Sequence, residues 1–496
     1  LSLGTFFTIG FFYFKNTKNT KTQKGEGTMR GHNGDFLNDS TGNALLEFFS
    51  KAGSLFEKRG QFYGGETSAL NLFKPAFSTD KLRATKLAFW LRDARGGAGN
   101  RSGFRSVVKW LAENHSDWVS ANIKLIPETG RWDDLIACFD TPCEDVAINF
   151  WSNAISAKDG LACKWAPREK KNKIVFAKLR KALGLSPKDY RRHLSANTNV
   201  VETAMCSGNW HDIDYNKVPS VAMARSATAF LKHDPARYDS WKESLTDEDS
   251  TNKVNAGALF PHDVLRTCHK DAKLANAQFA ALPNFMEEND DRIMAIADFS
   301  GSMCVGVSGS IRAIDISASL ALYCSDRVGK DNPFYRKYIP FSSTSELVSW
   351  ENKTFTQAAQ KCRNGYCGST NVKAALDQIL NSAKMFNVSN DQIPNCLLII
   401  SDMQFNGSGW GAGTCNSDES TIESCMKDWE ANGYSRPRIV YWNTAGNAGS
   451  PARLHENVAL VSGFSPSILG SVLGGTDFNP LAVLDRAIEK YEVVTP

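Results

Sequence analysis

Apolar residues recur at helical spacing through the first half of the chain and condense into short, wholly apolar runs in the second. Leu45, Leu46, Phe48 and Phe49 fit one helix face. Leu82 to Arg92 sets Leu87, Trp90 and Leu91 on one side and basic residues on another, and Phe104 to Leu111 repeats that design. Breakers at Gly96-Gly97-Ala98-Gly99, Pro127 to Gly130, Pro142, Pro187, Pro219 and Pro235 cut the pattern into helices of ordinary length. The expectation is an α-helical domain over residues 41–285, a HEAT-like or irregular solenoid, with an irregular helical bundle as the alternative because no repeat of fixed period is visible.

The pattern changes at Ile293. Ile293 to Asp298 is apolar up to its last residue, which suits a strand buried on both faces of a parallel sheet. A helix over Ser310 to Asp326 follows, then a strand pair at Phe334 to Phe341 and Glu346 to Trp350, and a helix over Asn371 to Met385. The apolar run Cys396 to Ile400 ends in Ser401-Asp402. Beyond it come a helix over Thr421 to Asn432, strands at Arg438 to Trp442 and Val458 to Val461, and a helix over Leu481 to Tyr491. Strands alternating with helices predict a doubly wound, mostly parallel α/β domain over residues 286–496.

Charge divides along the same line. Lys81 to Phe285 carries 31 Lys and Arg against 23 Asp and Glu, whereas Met286 to Pro496 carries 17 against 23. A basic half suggests an anionic partner, and an acidic half a cation or a different partner. The 12 cysteines include no paired C-x-x-C with neighbouring His, so buried free thiols in a reducing, cytoplasmic setting are expected instead of zinc. Residues 1–40 read as disordered or as upstream sequence translated in frame, with Met29 the true start; a residual signal anchor at Leu1 to Phe14 is the alternative. No later stretch is long and apolar enough for a bilayer.

Candidate chemistry lies in both halves. Asp298, Ser300 and Ser302 crowd the carboxyl end of the first buried strand, where open α/β sheets bind ligands, and their oxygens suit a hard cation. Thr370, 72 residues after Asp298, precedes a helix in Gly368-Ser369-Thr370-Asn371, and Asp402, 32 residues further, ends a second buried strand. In the helical half, Arg92, Arg95, Arg101 and Arg105 surround a Gly-rich loop whose amides could approach an anion. No Gly-Lys-Ser/Thr follows, so it is not a P-loop, and a tight helix–helix turn is the other reading. Gly130 to Leu135, G-R-W-D-D-L, reads as a capped helix start. Lys158 to Arg192 holds 12 basic residues against 3 acidic ones. Lys164, Arg168, Lys170, Lys171, Lys173, Lys178, Arg180, Lys181, Arg191 and Arg192 are its candidate RNA contacts, with Trp165, Phe176 and Tyr190 as candidate base-stacking faces.

The order of R-D-A-R-G-G-A-G-N-R, G-R-W-D-D-L, K-W-A-P-R-E, V-N-A-G-A-L-F-P-H-D-V, A-D-F-S-G-S-M, S-D-M-Q-F and V-A-L-V-S-G-F-S-P resembles domain-of-unknown-function family 2828 from about Ser68 to Tyr491. The second half resembles von Willebrand factor A domains with a metal-ion-dependent adhesion site. That resemblance implies octahedral Mg²⁺ (or Mn²⁺) at Asp298, Ser300, Ser302, Thr370 and Asp402, with an open position for a partner's carboxylate. More distantly, a helical region followed by such a domain is similar to TROVE proteins, the Ro autoantigen and its bacterial relatives. It implies a ring that binds small structured RNAs outside and single-stranded ends within.

The leading expectation is a monomeric, non-catalytic RNA-binding scaffold with no membrane association. The alternative is a protein-interaction adaptor that grips an Asp or Glu of its partner through Mg²⁺. A metal-dependent nuclease is a third reading, disfavoured because His115, His193, His211, His233, His262 and His269 all fall in the helical half, and none of these lies near the metal residues in sequence.

Overall fold

The computed structural model describes residues 28–30, 35–38, 40–55, 68–198, 200–245, 247, 249–268, 270–287, 290–304, 306–308, 311–341, 343–363, 368–406, 420–446, 449–452, 458–474 and 477–496. Helices occupy the chain from Ala44 to Ala280, and a mostly parallel sheet with its own helices follows from Ile293.

Each early helix starts at a side chain that accepts an otherwise orphaned backbone N–H. Asn43 caps Ala44–Lys51, Ser68 caps Ala69–Thr79, Asp80 caps Lys81–Arg92 and Asn100 caps Arg101–Asn114. These helices pack chiefly on their sequence neighbours. The face predicted for Lys81–Arg92 is only part of its buried surface: Ala84, Thr85, Phe89 and Arg92 are buried with Leu87, Trp90 and Leu91. Residues Ile213 to Leu274 build a satellite core around Phe230, Tyr238 and Trp241, and the main core runs continuously through both halves.

Ten strands are described. β1 (Thr28–Arg30) and β2 (Phe36–Asn38) form a hairpin. β3 (Ile293–Asp298) is followed by a small hairpin of β4 (Gly306–Ser308) and β5 (Ile311–Arg312). Next come β6 (Lys337–Phe341), β7 (Val348–Ser349), β8 (Cys396–Ser401), β9 (Arg438–Asn443) and β10 (Val458–Ser462). The main sheet has the order β10-β9-β8-β3-β6-β7, parallel except where β7 meets β6. β3 and β8 are buried along their whole length, as their unbroken apolar sequences require. The chain leaves β3 toward β6 and returns to β8 on the opposite side, which puts the topological switch point between β3 and β8.

Some of the first 40 residues are ordered. Among the described ones, β1 and β2 are ordered strands, Asn38 pairs with Ser450, and buried Asp35 accepts hydrogen bonds from the Thr421 amide and hydroxyl, each at 2.9 Å. The segment is therefore not uniformly disordered: it carries residues that pair with the α/β half.

The two halves are stitched at several points. Ala44–Lys51 packs on β10, Ser462 Oγ donates to the Phe49 carbonyl (2.7 Å), and Ser54 Oγ donates to the Asn443 carbonyl (2.6 Å). Near the far end of the chain, Lys490 Nζ and the Tyr491 hydroxyl donate to Asp93 Oδ2 at 3.0 and 2.9 Å, while the Arg95 and Gly96 amides donate to its other oxygen. Burial raises the Asp93 pKa, but Lys490 and these donors outweigh it and hold the carboxyl below its ordinary 3.8. The contribution of Asp93 to stability is therefore complete above its unfolded-state pKa and disappears as pH falls through the lower folded value. Asp93→Asn should cost about 2 kcal/mol in chemical denaturation near neutral pH, and its deficit relative to wild type should shrink in strong acid.

Candidate functional site

At the switch point, β3 ends on Asp298, fully buried, and β8 leads into Asp402, 3% exposed. Asp298 Oδ1 accepts the Ser300 amide at 2.8 Å and Oδ2 accepts the Ser401 hydroxyl at 2.5 Å. Both donors are neutral. Burial, and then the charge of Asp402, push the Asp298 pKa well above the carboxylate range against those two hydrogen bonds. A dication between the carboxylates would reverse both effects.

The surrounding loops are laced together by backbone. Ser300 pairs with Gly368, and the Gly301 amide donates to the Gly368 carbonyl (2.8 Å). Two residues on, Thr370 exchanges bonds with Asn406: its amide donates to Asn406 Oδ1 (3.2 Å) and its carbonyl accepts the Asn406 amide (2.9 Å). Ser300 and Ser302 hydroxyls lie 3.1 Å apart. Met403, directly after Asp402, takes a left-handed φ of 63° that costs an unbranched L-residue about 1 kcal/mol. The Ser401 hydroxyl, which accepts the Met403 amide (3.0 Å), helps hold that turn.

Asp298, Ser300, Ser302, Thr370 and Asp402 thus line one end of the sheet, offering two carboxylates and three hydroxyls. Oxygen donors alone suit a hard cation such as Mg²⁺. Among the described residues no cluster of three His, Cys, Asp or Glu side chains could hold a metal, so a cation here would depend on the neutral hydroxyls. Ser401 and Asn406 were missed in the sequence. A lone Ser ending an apolar strand was the available signal for the first; Asn406 gave none.

The Gly-rich arginine loop departs from expectation. Its amides do not point to an external anion: those of Arg95 and Gly96 bind Asp93, and those of Ala98 and Asn100 bind the Trp90 and Leu91 carbonyls. A Cβ on Gly97 would sit 2.0 Å from the Trp90 carbonyl oxygen, so this is a tight helix–helix turn. The arginines divide. Arg92 is buried, with Nε 2.7 Å from Asp134, and Arg105 reaches both Asp134 (2.6 Å) and Asp133 (3.0 Å). Arg92 is therefore withdrawn from the candidate RNA contacts and Arg105 is largely committed. Arg95 and Arg101 are exposed. The G-R-W-D-D-L motif supplies the other half of this network, with Asp134 also capping the turn through the Arg131 amide (2.9 Å).

The basic stretch divides in the same way. Lys170, Lys171, Lys173, Lys181, Arg191 and Arg192 are exposed, as are Lys158 and Lys188. Lys178 is tied to Glu144 (2.6 Å) and Asp140, Lys164 lies 4.0 Å from Glu202, and Arg168 and Arg180 donate to the Ala166 and Leu185 carbonyls. Phe176 and Tyr190 are core residues in an edge-on pair at 5.3 Å and are withdrawn as stacking faces. Trp165 is half-buried, with the Arg131 guanidinium 3.8 Å from its ring. Of the six helical-half histidines, His262 is buried, with burial pushing its pKa down, and His269 lies outside the described residues. The described cysteines are all free and mostly buried; Cys367 and Cys415 lie outside the described residues. No described helix is long and apolar enough to cross a membrane.

The family described as domain of unknown function (DUF2828) matches residues 31–135 and 143–296, and a second, domain of unknown function (DUF7788), matches residues 292–492. The uncharacterized protein L728 of Acanthamoeba polyphaga mimivirus is 25% identical over 521 residues, covering 92% of this chain and 87% of its own length. Among solved structures, the crystal structure of the Deinococcus radiodurans Ro (RSR) protein aligns with a TM-score of 0.46 and 14% identity over 91% of this chain and 100% of that one.

Asp134, with no exposed surface, depends on Arg92 and Arg105 for its charge balance. Asp134→Ala should destabilise the helical half by about 3–5 kcal/mol by leaving Arg92 buried without its counter-ion. A denaturation midpoint unchanged from wild type would contradict this role.

Proposed function

The chain belongs to the family described as domain of unknown function 2828, and from that starting point we propose that it is a non-catalytic RNA-binding scaffold. The observation that carries the reading is the exposed surface of Lys170, Lys171, Lys173, Lys181, Lys188, Arg191 and Arg192, faced in the same stretch only by Asp159, Glu169 and Asp189. Such a surface neutralises phosphates and releases counterions without reading sequence. The inward basic residues support the fold; of the outward ones only Arg192, 3.6 Å from Asp189, has a carboxylate partner among the described residues. Affinity for a single-stranded RNA should fall steeply with salt, with a slope near 0.7 per phosphate contact. Lys170→Glu, Lys171→Glu and Lys173→Glu together should weaken binding at least tenfold and flatten that slope. A gel shift that ignores both salt and these substitutions would remove the RNA reading, and cleavage of the RNA in Mg²⁺ would remove the non-catalytic part.

A second reading is favoured by the switch-point site. In it the α/β half is a von Willebrand factor A-like domain, with Asp298, Ser300, Ser302, Thr370 and Asp402 holding Mg²⁺. A bound Mg²⁺ would supply an electrophilic position for a partner's Asp or Glu. Asp298 and Asp402 would contribute negative charge, and Ser300, Ser302 and Thr370 neutral oxygens that leave the ion electron-poor. Mg²⁺ at a hundred times its Kd should stabilise the wild type by about 2.7 kcal/mol, whereas Asp298→Asn should lose that gain. Equal thermal shifts in the two proteins would refute the site.

A further inference from the structure

Arg101 is set apart from the other arginines of its loop. It lies one helical turn before Arg105 on Arg101–Asn114, hence on the same face, yet it is exposed and makes no ion pair among the described residues. Behind it, Arg92, Arg105 and Arg131 converge on only two carboxylates, Asp133 and Asp134. With Arg101 the cluster holds four guanidiniums against two carboxylates, a net charge of +2. Partial burial lowers the Arg101 pKa, and the nearby positive charges of Arg131, Arg92 and Arg105 lower it further, with Asp134 acting in the opposite sense. Trp165 stands beside the cluster, five residues before Lys170 in the basic stretch: Arg131 covers its ring at 3.8 Å, and Lys164 lies 5.6 Å from the same ring.

We propose that Arg101, backed by Arg92, Arg105 and Arg131, binds a terminal phosphate monoester, the 5′-phosphate end of an RNA strand being the source that fits the basic stretch that begins beside Trp165. A phosphomonoester carries close to two negative charges at neutral pH, matching the excess charge of the cluster, whereas an internal phosphodiester carries one. A guanidinium fork meets a terminal phosphate with two parallel hydrogen bonds. The inward arginines are held by Asp133 and Asp134, so the site is organised before the ligand arrives. The choice of RNA as the source rests on the RNA reading above; the phosphate site does not.

The test has two arms on the full chain. In the first, inorganic phosphate is titrated at constant ionic strength, with thermal stability and calorimetry as readouts. The wild type should bind it, and Arg101→Gln should bind at least tenfold more weakly; no binding, or equal binding by the two proteins, overturns the site. In the second, one RNA oligonucleotide is compared with 5′-phosphate and 5′-hydroxyl ends. The phosphorylated form should bind the wild type at least tenfold more tightly, and the preference should vanish in Arg101→Gln. Equal binding of both ends overturns the 5′-end assignment while leaving the RNA reading in place. Binding of neither RNA, with phosphate still bound, removes the RNA source and keeps the site. Should Arg101→Gln not fold, Arg101→Lys, which keeps the charge and loses the fork, answers the same question.

Discussion

A carboxylate with no exposed surface must be neutralised where it stands, and the helical half is arranged around that requirement at Asp134. Its two oxygens take Nε of Arg92 from one helix, Nε of Arg105 from the next, and the backbone amide of Arg131 from its own turn. Three segments distant in sequence are thereby fixed at one point. Removing solvent from charges is costly, and three directed donors on Asp134 offset that cost. The demand also explains why the Gly-rich turn is so tight: it must return the chain from Arg92 to Arg105 within a few residues. A buried Asn100 completes the turn, capping the Gly103 amide while its own amide nitrogen donates to the Ala52 and Leu55 carbonyls.

The same logic separates structural from available charge. Arginines that face a carboxylate inside the fold cannot serve an external phosphate without giving up that partner. Lys173, Lys181 and Lys188, on the outer faces of Lys173–Ala182 and Pro187–Ala196, have no such carboxylate partner among the described residues. The α/β half poses the opposite problem, since the carboxyls of Asp298 and Asp402 are brought together with only neutral donors on Asp298, which disfavours ionising both. One half carries excess positive charge near its surface, and the other concentrates negative charge at a strand end.

Much of this was legible in the sequence. The all-apolar runs at β3 and β8, ending in Asp298 and just before Asp402, announced the parallel sheet and the strand ends that carry the candidate site, because strand burial and strand termination are local properties; the strand order that makes this the switch point was not legible. The division of the arginines was not legible. Arg92 and Arg101 carry the same side chain in the same loop, and only the long-range approach of Asp134 assigns one inward and leaves the other exposed. Phe176 and Tyr190 misled for a related reason: aromatics between lysines look like stacking faces until helix phase turns them into the core. Asn406 and the hairpin of β1 and β2 are positioned by distant partners that no local pattern announces.

The connections between the halves run in both directions along the chain. Residues near its start, Asp35 and Asn38, attach to Thr421 and Ser450 of the α/β half. Residues near its end, Lys490 and Tyr491, attach to Asp93, and the Val494 amide and carbonyl exchange bonds with the side chain of buried Asn122 in the helical half. Each half is thus crossed by a segment of the other, like a strap. The peptide between Ala280 and Ile293 is consequently not what keeps them together, and a protease that severed it would release no fragment: the nicked halves would travel as one particle.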